Sequence, residues 1–307
     1  MKILVTGGSG FIGTHLCKSL VKESYQVRNL DLVQPRKWIP GVEYFPGDVR
    51  NPLCLAAALR DVQAVFHFAA MVSVPLCQER PVESYETNLI STLKILHFIE
   101  KESERQGKKL RFIFSGSSVV YGHLGNSGQA LKETLPLEQP LSFYGSQKLA
   151  SEHAIQVFYR LKKIPSVIFR FFNVYGSGQD PHSPYSGVIS VFSAAAKEGR
   201  PLFLHGEGKQ TRDFISVKDV VNACLSTLKI PEEDCDAKPI NLGSGSAISI
   251  SDLAHQIVLI GKKKAPILEA LAREGDVFHS KADISRAKKI LKWEPIIDFQ
   301  TGLRELF

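Results

Sequence analysis

The feature that most constrains the fold is a glycine-rich turn at the start of the chain. A short apolar run, 2–6, leads into glycines, and an amphipathic stretch follows at 14–23. Gly7, Gly10 and Gly13 therefore lie where a strand becomes a helix. Glycines at such a turn let the backbone approach a pyrophosphate, and the amides at the helix start can face its phosphates. The sequence predicts a strand–turn–helix unit that binds a dinucleotide.

The first two thirds of the chain alternate apolar runs with amphipathic stretches. Runs that are almost continuously apolar are typical of parallel strands that have helices on both faces. Further strands are predicted at 26–32, 64–70, 110–116, 166–173 and 239–245. Helices are predicted at 53–61, 88–104, 145–163 and 188–199. This alternation predicts an α/β fold with a Rossmann-type, doubly wound parallel sheet.

The regular alternation ends near residue 176, where a loop rich in Gly, Pro and Ser begins. We therefore predict a nucleotide-binding domain over 1–175, with segments that return to it near 213–246. A smaller, mixed α/β substrate-binding domain is predicted over 176–307. Substrate is expected in the cleft between two such domains.

Composition narrows the class of protein. The net charge is +7, but the basic residues are dispersed and the longest run is Lys262–Lys264, so no nucleic-acid partner is expected. The five cysteines form no Cys-x-x-Cys pair, which argues against a disulfide framework and against a metal site. No apolar stretch approaches the ~20 residues of a membrane span, and the first residues do not resemble a signal peptide. A cytoplasmic protein without membrane contact is expected.

The second strand is predicted to end in the acidic residue that selects the cofactor. Asp31 can accept hydrogen bonds from the adenosine ribose and would repel a 2′-phosphate, which favours NAD over NADP. Arg36 and Lys37 lie close by in the sequence and argue the other way, since arginine can hold that phosphate. NAD is the predicted cofactor.

Other candidate cofactor contacts lie after the first strand, after a short strand that precedes residues 47–49, and at the end of the strand over 64–70. They are the first helical residues, a Gly-Asp-Val turn and two small residues at a strand end. The residues are Phe11, Ile12, Asp48, Val49, Ala69 and Ala70. Asp48 is placed near the adenine amino group. His67 lies inside an apolar run, and we interpret it as a core histidine.

Tyr144 and Lys148 are the candidate catalytic pair. They are four residues apart where the helix predicted over 145–163 begins, so on a helix they share one face. The pKa of a tyrosine is ordinarily about 10, and a lysine ammonium together with an oxidised nicotinamide would stabilise its phenolate. The third partner is expected to be a hydroxyl at the end of the preceding strand. Ser117 is the first candidate and Ser118 the second, with Ser115 also in reach.

These segments resemble a known family. The motifs TGGSGFIG, FSGSSVVYG, YGSQK, FRFFNVYG, RDFISVKDV and NLGSG are similar to those of extended short-chain dehydrogenase/reductases, specifically the nucleotide-sugar epimerase/dehydratase group. The resemblance implies that Asn88 steadies the strand ends beside the cofactor. It also implies that Asn173, Arg212 and Arg273 bind the substrate's diphosphate, a task that suits guanidinium groups. Members of this group often form homodimers, so a homodimer is expected.

The resemblance also narrows the choice of reaction. Dehydratases and decarboxylases of this group carry a glutamate where this chain has Val119, so the predicted reaction is 4-epimerisation of a UDP-sugar. Ser280 matches a position that limits room beside the sugar's C2 substituent. A serine there predicts that UDP-N-acetylhexosamines are accepted, alongside UDP-glucose and UDP-galactose. Two alternatives stay open: a 4-ketoreductase that consumes NAD(P)H, and a non-catalytic NAD-binding regulator.

Overall fold

A seven-stranded sheet organises most of the first 240 residues. The computed structural model describes residues 1–181, 187–272 and 277–307. Its strands are β1 (Lys2–Thr6), β2 (Gln26–Asp31), β3 (Val42–Pro46), β4 (Ala64–His67), β5 (Arg111–Ser117), β6 (Ser166–Phe171), β7 (Asn173–Tyr175), β8 (Leu202–His205), β9 (Thr211–Arg212), β10 (Phe214–Ser216), β11 (Asp236–Leu242), β12 (Ile248–Ser249), β13 (Ile267–Ala270) and β14 (His279–Ser280). The strand order in the large sheet is β11-β6-β5-β4-β1-β2-β3.

Helices connect the strands and alternate with them along the chain. They are α1 (Phe11–Lys22), α2 (Pro52–Ala58), α3 (Val74–Glu79), α4 (Pro81–Tyr85), α5 (Ser91–Gln106), α6 (Phe143–Lys162), α7 (Val188–Glu198), α8 (Val217–Ser226), α9 (Ile250–Gly261), α10 (Ser285–Leu291) and α11 (Phe299–Arg304). A π-helical turn, Glu86–Ile90, leads into α5, and a 3₁₀ segment, Ser118–Ser127, follows β5. None of the helices in the described ranges is both long and apolar enough to cross a membrane.

The strand order reverses beside β1, which pairs in parallel with β2 on one side and with β4 on the other. β2 with β3 and β4 with β5 are parallel as well. This is the doubly wound arrangement, in which ligands bind at the carboxyl ends of the strands at the point of reversal. The predicted fold class is confirmed.

The chain forms two compact units. The first comprises 1–120, 142–170 and 221–240. Its core packs apolar side chains of β1, β4 and β5 against α2, α5 and α6; Leu4, Val65 and Phe112 are fully buried there. The near-continuous apolar runs of the sequence therefore reflect strands that are covered on both faces.

The second unit comprises 121–141, 171–220 and 241–307. Three small sheets support it: β7 with β10, β9 between β12 and β14, and β8 with β13. A separate core forms around α7 and α9, with Phe192, Leu253 and Ile257 among its buried residues. These strands have two to four residues, too short for an alternating pattern to be read in the sequence.

Candidate functional site

The turn after β1 is formed by backbone packed too tightly for side chains. Gly7 has φ +72°, and a Cβ there would lie 2.6 Å from the amide nitrogen of Ala69. A Cβ on Gly13 would overlap the carbonyl oxygen of Gly7 and lie 2.7 Å from the Cα of Gly8. At Gly10 an added Cβ would meet only the oxygen of Gly7, at 3.2 Å, so space remains in front of this residue.

Gly10 precedes the first turn of α1, which includes Phe11 and Ile12. The first amides of a helix have no acceptor within the helix, and no side chain of the described residues caps α1. The helix start therefore offers free N–H groups and a partial positive charge beside the open space at Gly10. This cradle fits the pyrophosphate of a dinucleotide.

Asp31 lies beside the glycine turn, although 18 residues separate it from Gly13 in the sequence. Its Oδ2 accepts from the backbone N–H of Ser9 (2.9 Å) and its Oδ1 from that of Val33 (3.0 Å). Parallel pairing of β1 with β2 brings the two strand ends to one edge. Each carboxylate oxygen keeps a lone pair for a ribose hydroxyl. Arg36 lies on an exposed loop beyond β2.

Asp48 forms an ion pair with Arg50, whose NH2 lies 2.7 Å from Oδ2. Partial burial acts to raise the pKa of Asp48, but the hydrogen bonds from Arg50 outweigh it and the pKa is lowered. Asp48 is therefore an ionised acceptor. Its neighbour Val49 is buried against the core of the first unit.

Asn88 ties the end of β4 to α6. Its Oδ1 accepts from the N–H of Met71 (2.7 Å), and its Nδ2 donates to the carbonyl of Met71 (2.9 Å) and to Oε1 of Gln147 (2.7 Å). Asn88 lies in the π-helical turn, a feature that often marks functional sites. It therefore holds the segment that follows Ala69 and Ala70.

The carboxyl end of β5 and the first two turns of α6 bring the candidate catalytic residues together. Ser142 caps α6 by accepting from the N–H of Gly145 (3.1 Å), so Tyr144 and Lys148 lie one turn apart near the helix start. The Nζ of Lys148 lies 5.7 Å from the centre of the Tyr144 ring and donates to the carbonyl of Ser115 (2.7 Å). Both side chains are buried.

Burial acts on both ionisable groups of this pair. It lowers the pKa of Lys148 to about 8, because the ammonium loses solvation. It raises the pKa of Tyr144, because a buried phenolate would lose solvation. The negative charge of a Cys77 thiolate would raise this pKa further, whereas a hydrogen bond with Ser117 lowers it. A phenolate at neutral pH therefore requires additional positive charge next to the ring.

The serines after β5 differ in their partners. Ser115 donates its hydroxyl to the carbonyl of His67 (2.9 Å) and so joins two strands. Ser117 hydrogen-bonds to Tyr144, and its Oγ also accepts from the N–H of Val119 (3.3 Å). Ser118 begins the 3₁₀ segment.

His67 is a core residue. Its Nδ1 and Nε2 lie 2.7 Å from the hydroxyl of Thr6 and 3.1 Å from that of Thr92. Burial lowers its pKa to about 3, so the ring is neutral. The structure agrees with the structural role predicted for this histidine.

In the second unit, candidate substrate residues surround a buried carboxylate that the sequence analysis did not single out. Asp213 Oδ1 accepts from the N–H and hydroxyl of Ser244 (2.6 and 2.7 Å), and Oδ2 accepts from the N–H groups of Gly245 and Ala282 (3.0 Å each). Its carbonyl accepts from the side chain of Asn173 (2.9 Å). Two sequence features could have pointed to this carboxylate. Asp213 immediately precedes the mostly apolar run 214–217, and the motif NLGSG contains glycines.

Arg212 and Ser280 are neighbours in this unit. They are register partners in the parallel pair β9·β14, and Arg212 donates to the carbonyl of Thr211 (2.9 Å). Ser280 is only 9% exposed and is therefore not a surface residue. Arg273, the other predicted diphosphate ligand, lies outside the described residues.

The fold and the glycine cradle define a dinucleotide-binding protein, and comparison with known proteins identifies its family. The sequence model of the NAD dependent epimerase/dehydratase family matches residues 3–243. A putative UDP-glucose 4-epimerase of Methanocaldococcus jannaschii is 34% identical over 312 residues, which cover 99% of this chain and 96% of the relative. A UDP-N-acetyl-alpha-D-glucosaminuronate decarboxylase of Bacillus cytotoxicus is 30% identical over 326 residues, covering 99% and 96%.

Solved structures show the same relationship. The UDP-N-acetylglucosamine 4-epimerase from Methanobrevibacter ruminantium M1, in complex with UDP-N-acetylmuramic acid, has a TM-score of 0.89 and 30% sequence identity. That alignment covers 99% of this chain and 96% of the other. The chain belongs to the NAD dependent epimerase/dehydratase family, and its cofactor is NAD. Both the predicted family and the predicted cofactor are confirmed.

Proposed function

We propose that this enzyme is a UDP-sugar 4-epimerase that interconverts UDP-GlcNAc and UDP-GalNAc and also accepts UDP-glucose and UDP-galactose. The observation that carries the proposal is the contact of Tyr144 with Ser117, with Lys148 beneath the ring. This arrangement can hold and move one proton at a sugar hydroxyl. The first unit is assigned to NAD and the second to the sugar nucleotide.

In the proposed reaction, Tyr144 is the proton acceptor at the C4 hydroxyl, and Ser117 orients that hydroxyl by a hydrogen bond. Lys148 supplies positive charge to the phenolate. NAD, when bound, would supply reversible hydride transfer at C4 and the positive charge of its oxidised nicotinamide. Inversion would follow if the sugar turned before the hydride returned to C4 and the proton to its oxygen, with no net consumption of the cofactor.

The glycine cradle and the strand ends are assigned to NAD. Gly7, Gly10 and Gly13 with the start of α1 would hold the pyrophosphate, and Asp31 the adenosine ribose. Asp48 is assigned to the adenine. Support comes from the free first-turn amides of α1 and the carboxylate position beside Ser9.

The residues around Asp213 are assigned to the diphosphate of the substrate. Asn173 is held to the carbonyl of Asp213, and Arg212 lies next along the chain. A single firm anchor at the diphosphate suits a reaction in which the sugar must present both faces. Arg273 is assigned to the same diphosphate by resemblance alone.

Elimination chemistry is less well supported by this site. The position where the resemblance implies a glutamate for dehydration or decarboxylation is occupied by Val119, which cannot transfer a proton. The relatives nevertheless include a decarboxylase. A 4-ketoreductase would use the same Tyr144 and Lys148, but it would consume reduced cofactor in proportion to product.

Incubation of the purified enzyme with UDP-GlcNAc, without added reductant, tests the proposal. The expected product is UDP-GalNAc, with no accumulation of NADH. Parallel incubations with UDP-glucose and with UDP-glucuronic acid separate the alternatives. Release of CO₂ from the uronic acid would indicate a decarboxylase, and turnover only with stoichiometric NAD(P)H would indicate a ketoreductase.

The acetylated substrate is proposed on the basis of Ser280. Its small side chain leaves room beside the sugar's C2 substituent, and its pairing with Arg212 associates it with the diphosphate anchor. Ser280→Tyr is expected to abolish turnover of UDP-GlcNAc and to spare UDP-glucose. Equal loss of both activities would refute this role.

We also propose a homodimer that forms through α5 and α6, in the cytoplasm. Val157 and Leu161 are exposed in the single chain and lie four residues apart on α6, so they form one apolar helix face. In the proposed dimer the second protomer would cover this face. All five cysteines are free thiols, which suits a reducing compartment. Sedimentation equilibrium of the wild type and of Leu161→Glu tests the assembly; a wild-type monomer would contradict it.

A further inference from the structure

A third ionisable residue lies in line with the candidate catalytic pair on α6. Tyr144, Lys148 and Glu152 are spaced i, i+4 and i+8, so they occupy successive turns of one helix face. All three side chains are buried. Such a row is unusual, because ionisable side chains are seldom fully buried. Those that are buried generally have a partner of opposite charge or a hydrogen bond.

Glu152 is held by a fully enclosed arginine. Arg170 donates from NH2 to Oε2 (2.7 Å) and from Nε to both carboxylate oxygens (3.1 and 3.2 Å). The two side chains are 1% and 4% exposed. Gly116 lies against this pair: a Cβ there would overlap the carbonyl oxygen of Phe169 and lie 3.2 Å from Oε1 of Glu152.

Gly116 is also the link to the reacting residues. It stands between Ser115, whose carbonyl accepts from Lys148, and Ser117, which contacts Tyr144. The Glu152 carboxylate therefore lies against the same strand end that carries the hydrogen bonds of the catalytic pair.

Ionisable groups face this row from several elements. Beside the three residues of the row, they are His153 on α6, Cys77 on α3, His67 on β4 and Arg170 on β6. Burial lowers the pKa of Lys148, and the negative charge of Glu152 opposes that change. Burial raises the pKa of Glu152, and Arg170 opposes that change in turn.

A buried ion pair is weak evidence of stabilisation, because desolvation of both charges offsets their attraction. An apolar pair of the same shape would fill the space equally well. The position of the charge next to Lys148 therefore needs another explanation.

We propose that Glu152, fixed by Arg170, is a positioning residue that keeps the Lys148 side chain as an ammonium beneath the Tyr144 ring. This inference rests on the proposed roles of Tyr144 and Lys148. Glu152 touches neither substrate nor cofactor in this assignment; it acts through Lys148.

The titration of Lys148 in the NAD-loaded enzyme tests the proposal directly. Lysines labelled with ¹³C at Cε are followed by NMR against pH, and the Lys148 signal is assigned by its loss in Lys148→Met. In Glu152→Gln the titration midpoint of Lys148 is expected to fall by about 1 pH unit, since an adjacent opposite charge shifts a pKa by one or more units. The alkaline limb of the pH profile of kcat should move in the same direction.

Glu43→Gln is the matched control. Glu43 is also paired with an arginine, Arg28 (2.9 Å), but on β3 at the other end of the sheet. It should leave the Lys148 midpoint and the kcat profile unchanged. If Glu152→Gln does not fold, Glu152→Gln/Arg170→Met removes both charges. The midpoint is again expected to fall, because Glu152 lies one helical turn from Lys148 and its negative charge raises the pKa of Lys148.

The outcomes separate the two proposals. A lower midpoint in an enzyme without epimerase activity would support the role of Glu152 and refute the proposed function. An unchanged midpoint in a folded variant would overturn the role of Glu152, whatever its melting temperature, while epimerase activity would stand.

Discussion

The glycine turn after β1 and the buried face of α6 are built by opposite means. The turn consists of backbone atoms so close together that side chains are excluded at Gly7 and Gly13. The helix face instead encloses ionisable side chains, each with a partner. We therefore expect added side-chain volume to disturb the packing of the glycine turn. On the helix face we expect the change of a charge or of a single polar atom to alter activity.

The largest expected effect tests the helix face by a change that keeps its shape. Tyr144→Phe removes one hydroxyl and should lower kcat for UDP-GlcNAc epimerisation by about 10³-fold or more, because the proton acceptor is lost. NAD binding and the melting temperature should change little. Steady-state kinetics with product separation provides the measurement.

Tyr159→Phe is the control for that prediction, since it makes the same change on the same helix, about three turns beyond Lys148. Its kcat should match the wild type. Comparable losses in the two variants would mean that the helix face, and not the Tyr144 hydroxyl, is what the reaction needs.

An intermediate effect tests the turn by added volume. Gly13→Ala should destabilise the fold by ~1–3 kcal/mol, as overpacking of rigid backbone does. Gly10→Ala is the matched variant: its Cβ meets only one atom, so stability should be kept while NAD affinity falls about tenfold. Denaturant unfolding and calorimetric titration with NAD distinguish the two. If both variants lost stability equally, the distinction between packing and binding glycines would be wrong.

The smallest expected effect is on the free energy of unfolding, which should depend on pH because Lys148 is buried. Lys148 has a pKa of about 8 in the folded protein, whereas a lysine exposed to water ordinarily has a pKa of 10.5. Between these values the unfolded chain holds a proton that the folded chain has released, so stability rises with pH. Relative to Lys148→Met, the wild type should gain on the order of 2 kcal/mol between pH 8 and pH 10.5 and nothing below pH 8.

Urea unfolding of both proteins at pH 7, 8, 9 and 10 measures this difference. The comparison cancels groups that titrate alike in the two proteins. A difference in unfolding free energy that is constant across the series would show that Lys148 is not desolvated as its burial implies.

The central sheet was predictable from the sequence, whereas the elements between its strands were less so. The strands over 2–6, 26–32, 110–116 and 166–173 are present at or within two residues of the predicted bounds. The strand predicted over 64–70 stops at His67, because the following backbone passes the glycine turn. The helices α3 and α4 were not predicted; each has only five or six residues.

The candidate site divides in the same way. Tyr144 and Lys148 could be paired from their spacing, because four residues place two side chains on one helix face. The sequence placed Ser117 ahead of Ser118 and Ser115 as the third partner, but all three lie at the end of one strand. Their contacts differ only in the folded chain, where Ser115 bonds to His67 and Ser117 to Tyr144. Asp213 was missed because its role depends on amide groups supplied by residues far along the chain.

The sequence by itself determined most strands of the central sheet, the glycine turn and the pairing of Tyr144 with Lys148 on one helix face, because these depend on spacings of a few residues. Only the tertiary structure paired Glu152 with Arg170 across 18 residues and Asp213 with Ala282 across 69. It also showed that Ser280 is buried beside Arg212. Such contacts form when separate elements fold together, and no local periodicity encodes which distant polar groups will share a buried site.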